Sequence, residues 1–154
     1  MAYDQLKLDR QLCFRLYTAS RLITQAYEPY LRPLGITYTQ YLVLLVLWEK
    51  DELPINDIGK RLLLGINTIS PLIKRMENQG LVARRCGDTD KRQQIVFLTQ
   101  KGKGLKREAA RIPGCMGTDL AGCGLDAETL TGLVPLLDEL IAKMTVCDRA
   151  VDGQ

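Results

Sequence analysis

The stretch from Pro54 to Thr99 changes its hydrophobic pattern three times, and that order restricts the fold more than any other feature of the chain. Pro54 opens a short helical segment, INDIGKRLL, because proline is accepted at a helix start, where its missing donor would have no partner anyway. Gly65 breaks the chain, and NTISPLIKRMENQ follows with apolar side chains at helical spacing. Ile69, Leu72, Ile73 and Met76 form the stripe predicted to be buried, while Asn67, Thr68, Lys74, Arg75 and Asn78 fall away from it. Gly80 is placed to end this helix in a left-handed conformation. LVARRC and QQIVFLT are then two short β-prone runs around the turn-rich GDTDKR, the pattern of a hairpin.

Charge follows the same stretch. Between Lys60 and Arg107 stand twelve Lys or Arg residues against Glu77, Asp88 and Asp90, a net +9, so the remainder of a chain whose total is +3 carries −6. Solvated helix faces are the plain explanation of scattered basic residues, but such segregation suits a surface that meets a polyanion. Short helix, turn, amphipathic helix and hairpin are the order of a winged helix-turn-helix. In that fold the second helix enters the major groove with polar side chains on its N-terminal half. A hairpin with Lys91 and Arg92 at its tip reaches phosphates or an adjacent minor groove.

The rest of the chain predicts a mainly α fold with this small β-hairpin, a single domain over residues 1–154. The winged-helix core spans 39–99, and helical dimerisation regions span 1–38 and 100–154. A first helix is predicted from about Leu6 to Tyr30, interrupted near Pro29, and a second from Thr39, whose hydroxyl would cap it. QYLVLLVLWEK is apolar on nearly every face, which marks a core helix. After a helix from Gln100 to Ala110, IPGCMGTDLAGCGL reads as a Gly-rich connection. The last helix is predicted to start at an Asp126 cap and to kink at Pro135. Residues 1–11 mix charges, and the longest apolar run, Tyr41 to Trp48, is too short to span a bilayer, so a soluble, cytoplasmic protein is expected. Five cysteines form no CxxC pair and histidine is absent, which argues against a zinc site or a secreted disulfide framework. No cofactor and no metal are expected.

The run LPINDIGKRLLLGINTISPLIKRMENQGLVARRCGDTDKRQQIVFLTQKG resembles the core of the MarR-type winged-helix regulators, through SPLIKRMENQGLV, Asp90-Lys91-Arg92 and the LT-x-KG that follows. With LDRQLCFRLY, AYEPYLRPLGITYTQYLVLLVLWE and the later IPG, the chain is similar to the branch that senses organic hydroperoxides, the OhrR type. The resemblance covers Leu8 to about Gly114. It implies a homodimer on pseudo-palindromic double-stranded operator DNA, with an organic hydroperoxide as inducer and no membrane partner. It also implies that Arg92 reaches the minor groove, that Asp90 braces it, and that Asn67, Thr68, Ser70, Lys74 and Arg75 serve the major-groove helix. The family usually opens that helix with an Asp-Ser-Gly-like stretch. Here Gly65-Ile66-Asn67 stands instead, and loss of an N-cap Asp costs about 1 kcal/mol unless Asn67 takes over the cap.

Cys13 lies in a predicted amphipathic helix beside the stripe Leu8, Leu12 and Leu16. A helical cysteine is commonly a small buried hydrophobe. Tyr17, however, is one turn along near the same face, and a phenol donating to sulfur favours the thiolate, the reactive form. Arg10, three residues earlier, would add a positive charge. Tyr27, fourteen residues on, returns to nearly the same face but about 21 Å along the helix. A two-fold axis pairing first helices antiparallel would bring it to Cys13 of the other copy. The resemblance implies that arrangement, with residues matching Tyr17 and Tyr27 reaching the reactive cysteine from the partner, and Leu12, Phe14 and Leu16 as expected apolar walls. For the resolving thiol, Cys123, Cys115 and a small external thiol stay open, with Cys86 and Cys147 as bystanders. The leading expectation is a peroxide-responsive repressor that is not an enzyme. The alternatives are a repressor relieved by reversible binding of an aromatic molecule, with Cys13 structural, and a thiol peroxidase.

Overall fold

The computed structural model describes residues 3–151, those from 147 onward by their backbone alone, so the Cys147 thiol lies outside the described residues. The chain divides into two compact units, Met1–Ile112 and Pro113–Gln154. The first unit contains helices α1 (Leu12–Ala26), α2 (Glu28–Leu31) and α3 (Tyr38–Glu49), strand β1 (Leu53–Pro54), helices α4 (Ile55–Leu62) and α5 (Ile66–Asn78), strands β2 (Val82–Cys86) and β3 (Gln94–Leu98), and helix α6 (Gln100–Ala109). Helix α7 (Ile112–Gly122) starts at the boundary, and α8 (Ala127–Val151) follows it.

Helix α3 buries Tyr41, Val43, Leu44, Val46 and Leu47, as its unbroken apolar run requires. Its start is a capping box in which Thr37 Oγ1 accepts from the Gln40 N–H and Gln40 Oε1 accepts from the Thr37 N–H at 3.0 Å. The cap is therefore Thr37 and not Thr39, because the reciprocal partner three residues on belongs to Thr37. The core continues through Ile58, Ile69, Leu72, Ile73, Met76, Leu81, Val82 and Val96, which includes the whole stripe read from the sequence of α5.

Helices α4 and α5 meet closely. A Cβ on Gly59 would stand 2.8 Å from the Leu64 carbonyl oxygen and 3.4 Å from Ile69 Cγ2. The turn between them is made at Leu63, which is left-handed at φ +53°. Gly65 is the N-cap of α5 and takes the first two backbone bonds, from Thr68 and Ile69, on its carbonyl. Asn67 is the second helical residue and does not cap. At the other end Gly80, φ +72°, donates to the Glu77 carbonyl and Leu81 donates to that of Met76, a Schellman closure. The hairpin pairs Val82 with Leu98 and Cys86 with Gln94. Strand β1 adds to its β3 edge, giving a three-stranded antiparallel sheet of order β1-β3-β2 where two strands were expected. A two-residue strand containing a proline has no period to read.

Two other expectations change. The predicted helix from Leu6 is broken, because Lys7 and Gln11 have extended backbones and separate two short 3-10 turns, Asp4–Leu6 and Leu8–Arg10, from α1. Leu8 thus belongs to a different element from Leu12 and Leu16. At the far end Tyr27 closes α1, and Pro29 lies in the first turn of α2, where its ring is tolerated. The Gly-rich connection after α6 is instead helix α7, which carries Cys115, with Cys123 in the turn beyond it. Asp126 caps α8 as expected: its carboxylate accepts from the Thr129 N–H at 2.7 Å and the Thr129 hydroxyl at 3.0 Å, which holds it below the usual carboxylate range. The helix continues through Pro135. Among the described residues no single helix is long and apolar enough to cross a membrane.

Candidate DNA interface and redox site

On α5, Asn67, Thr68, Lys74 and Arg75 are exposed and Ser70 is half-buried. A polar cleft of about 700 Å³ lies between α4, the start of α5 and the hairpin, and Ser70, Asp90 and Arg92 share its lining with Asn56, Asp57, Lys60 and Arg84. The structure thus brings one predicted site residue of α5 and two of the hairpin tip to a common cleft. Asp90 Oδ1 accepts from the Arg92 backbone N–H at 2.9 Å, and its carbonyl accepts from the Gln93 N–H at 3.0 Å. The aspartate braces the turn that carries Arg92 and leaves the guanidinium outside that contact. Arg84 joins the two walls. Its Nε and Nη2 donate to Glu77 Oε2 at 3.0 and 2.6 Å, and its Nη1 donates to Gln94 Oε1 at 3.1 Å. The Arg84 bond holds the Glu77 carboxyl below its ordinary value.

These pairings refine the charge count. Arg85 is held by Glu52 at 2.9 Å and Asp88 at 3.1 Å, Arg61 by Glu49 at 2.6 Å, and Lys60 by Asp57 at 3.3 Å. Among the described residues Lys74, Arg75, Lys91 and Arg92 carry no salt bridge. Lys101, Lys106 and Arg107 of α6 likewise carry none, so the positive charge without a carboxylate partner lies on α5, the hairpin tip and α6.

Cys13 is the second residue of α1 and its side chain is exposed. Around it Leu12 is 63% exposed and Tyr17 68%, with Phe14 and Leu16 also open. Arg10 Nη2 lies 3.9 Å from the Asp4 carboxylate, with both side chains largely exposed. Tyr27, at the far end of α1, packs its ring on Tyr38 (centroids 5.0 Å apart) and Tyr41 (6.0 Å), and Tyr41 meets Trp48 at 6.3 Å. Within one chain Cys13 and Tyr27 stand at opposite ends of a helix rising 1.5 Å per residue, and do not meet. A cavity of about 430 Å³ adjoins the tyrosine cluster, lined by Thr24, Leu31, Ile36, Thr37 and Tyr38 among others. Burial first, and the adjacent Tyr27 phenol second, push the Tyr38 hydroxyl above the usual phenol range, so it remains a proton donor at neutral pH. Cys86, Cys115 and Cys123 are exposed free thiols.

Residues 25–109 match the family model described as the transcriptional regulator SarA/Rot. The organic hydroperoxide resistance transcriptional regulator of Bacillus subtilis is 42% identical over 92% of this chain and 97% of its own length. The chain belongs to the SarA/Rot and MarR-type winged-helix transcriptional regulators. Reduced AbfR bound to DNA, a Staphylococcus epidermidis protein, superposes with a TM-score of 0.72 at 38% identity, over 94% of this chain and 99% of that one. AbfR in a disulfide-formed state covers 90% of this chain and 95% of its own at 39% identity and a TM-score of 0.65. This regulator is thus a DNA-binding protein of the MarR/OhrR type.

Sequence reasoning missed two groups of this regulator's residues. Arg84, Glu77 and Gln94 come from three elements and meet only because the Gly80 turn folds β2 back along α5. Tyr38 and Tyr41 lie three residues apart on the first turn of α3, a spacing that does put them on one face, and this signal was available.

Proposed function

We propose that this regulator is a homodimeric repressor that holds its operator when reduced and releases it when an organic hydroperoxide oxidises Cys13. The observation that carries the reading is the exposed Cys13 thiol on an α1 face of exposed apolar side chains, in a chain so similar to a hydroperoxide-resistance regulator. Leu12, Phe14, Leu16, Leu22 and Ile23 leave α1 with apolar surface that a second copy would cover. Antiparallel pairing of two such helices sets Tyr27 and its neighbour Tyr38 against the partner's Cys13. Their hydroxyls would donate to the sulfur and favour the thiolate.

The thiolate attacks the terminal peroxide oxygen, so that an S–O bond forms and the O–O bond breaks. Sulfur loses two electrons, and the leaving alkoxide takes a proton to become the alcohol. The product sulfenic acid condenses with a second thiol, releasing water and forming a disulfide. Cys123, Cys115 or an external thiol supplies it, and the disulfide-formed state of AbfR supports such a step. The 430 Å³ cavity beside Tyr38 suits the organic part of the peroxide better than hydrogen peroxide. On DNA, Asn67, Thr68 and Ser70 face base edges, Lys74 and Arg75 meet phosphates, and Arg92, set by Asp90, enters the minor groove.

The test uses a duplex enriched from a random 30-bp library by the reduced protein. Cumene hydroperoxide should release it from wild type, and thiol reductant should restore binding. Cys13→Ser should bind and not release. Mass spectrometry of stoichiometrically oxidised protein should find Cys13 in the new bond. Release from Cys13→Ser would sink the redox reading. The same cavity favours a second reading, a reversible aromatic inducer, for which reductant would make no difference.

A further inference from the structure

Gln40 has the one polar side chain buried among the described residues, at 3% exposure. A buried amide is costly unless both of its ends are bonded, and both are. Its Oε1 accepts from the Thr37 N–H at 3.0 Å, closing the cap of α3, and its Nε2 donates to Gln79 Oε1 at 2.8 Å. Gln79 is the C-cap of α5, the recognition helix. Its carbonyl also accepts from Lys101 Nζ at 2.8 Å, and the Gly80 carbonyl accepts from the Thr99 hydroxyl at 2.5 Å. The end of α5 is thus fastened to the starts of α3 and α6.

We infer that Gln40 is a positioning residue that couples the tyrosine wall of the redox pocket to the recognition helix. The inference rests on the redox reading above. Tyr38 and Thr37 both line the cavity, and Tyr38 packs on Tyr27, so a change at the thiol pushes first on the opening turn of α3. That turn carries Gln40. A planar amide with both ends committed cannot follow a shift of the turn unless Gln79 moves with it or a bond breaks. Gln79 closes a thirteen-residue helix whose other half faces the groove, so a small displacement at this end re-aims the base-reading residues. An apolar side chain would fill the same volume without transmitting direction.

Gln79→Leu cuts the link at its exposed end and leaves the Thr37–Gln40 cap in place. In the reduced state it should bind the enriched duplex within about threefold of wild type, and its Cys13 should oxidise at the wild-type rate. The ratio of oxidised to reduced Kd should fall about five- to tenfold, the weight of one buried hydrogen bond in the coupling. Gln40→Leu/Gln79→Leu, which removes both buried ends of the bond together and leaves the exposed Thr37 N–H to water, should give the same reduced ratio. Wild-type ratios in both variants, including equal weakening of reduced and oxidised binding, would overturn the role and leave the redox reading standing. Wild-type protein that keeps its DNA after oxidation would overturn both.

Discussion

Leu63 has a left-handed backbone at φ +53° between α4 and α5, where a side chain other than glycine costs about 1–2 kcal/mol. Its neighbours explain why it bears the turn. Leu62 and Leu64 are half-buried while Leu63 is 59% exposed, so the turn falls on the leucine that packing can spare. Leu63→Gly should therefore stabilise the protein by about 0.5–1 kcal/mol, the strain relieved less the greater entropy glycine loses on folding. A denaturant midpoint at fixed protein concentration reads it, and an unchanged or lower midpoint would count against the strain. In LLLG the glycine attracts the eye as the break, and the sequence holds no sign that the turn comes two residues earlier. Cys13 and Tyr17 were legible as residues. The break in the chain before Cys13 was not, because the extended residues Lys7 and Gln11 that make it are marked by no glycine or proline.

At the scale of elements, the order α4, α5, hairpin was readable because each piece carries its own period and its own stop. Helix α7 was not, since IPGCMGTDLAG has the glycines of a connection and forms a helix that its own propensity does not foretell. The join between α5 and the hairpin was equally hidden. Glu77 and Arg84, each about one-third exposed or less, bind α5 to β2. Glu77→Gln should cost about 1 kcal/mol at neutral pH, the upper range for a partly exposed pair. Arg84 lowers the folded-state value of the Glu77 carboxyl, so this contribution is full above the ordinary value of 4.5. It is lost as pH falls through the lowered value. The stability gap between wild type and Glu77→Gln should narrow as pH falls below 4.5, and a gap that stays constant through acid titration would refute the tie. At the hairpin tip, Arg92 is exposed and holds no salt bridge. Arg92→Ala should leave folding intact, weaken duplex binding and flatten its salt slope by about one unit. An unchanged affinity through a salt titration would remove Arg92 from the interface.

At the scale of the whole molecule, the opposite ends of α1 carry the two halves of the proposed pocket, and one chain cannot close it. A mixed dimer separates the possibilities. In the first mixture one chain is Cys13→Ser and the other Tyr27→Phe. If Tyr27 reaches across the two-fold, the single remaining thiol meets an intact tyrosine. In the second, one chain is Cys13→Ser/Tyr27→Phe and its partner is wild type, so the remaining thiol faces phenylalanine across the seam. Contact between chains predicts fast oxidation by cumene hydroperoxide in the first and slow oxidation in the second, and contact within a chain reverses that order. A hydrogen bond to a charged group is worth about 1.5–3 kcal/mol, and losing even half of it at the thiolate slows the reaction severalfold. Equal rates would take Tyr27 out of the activation and leave Tyr17 and Tyr38 to account for it. Tyr38→Phe in the same two mixtures then decides whether the ring packed on Tyr27 donates to the sulfur or only holds its neighbour in place.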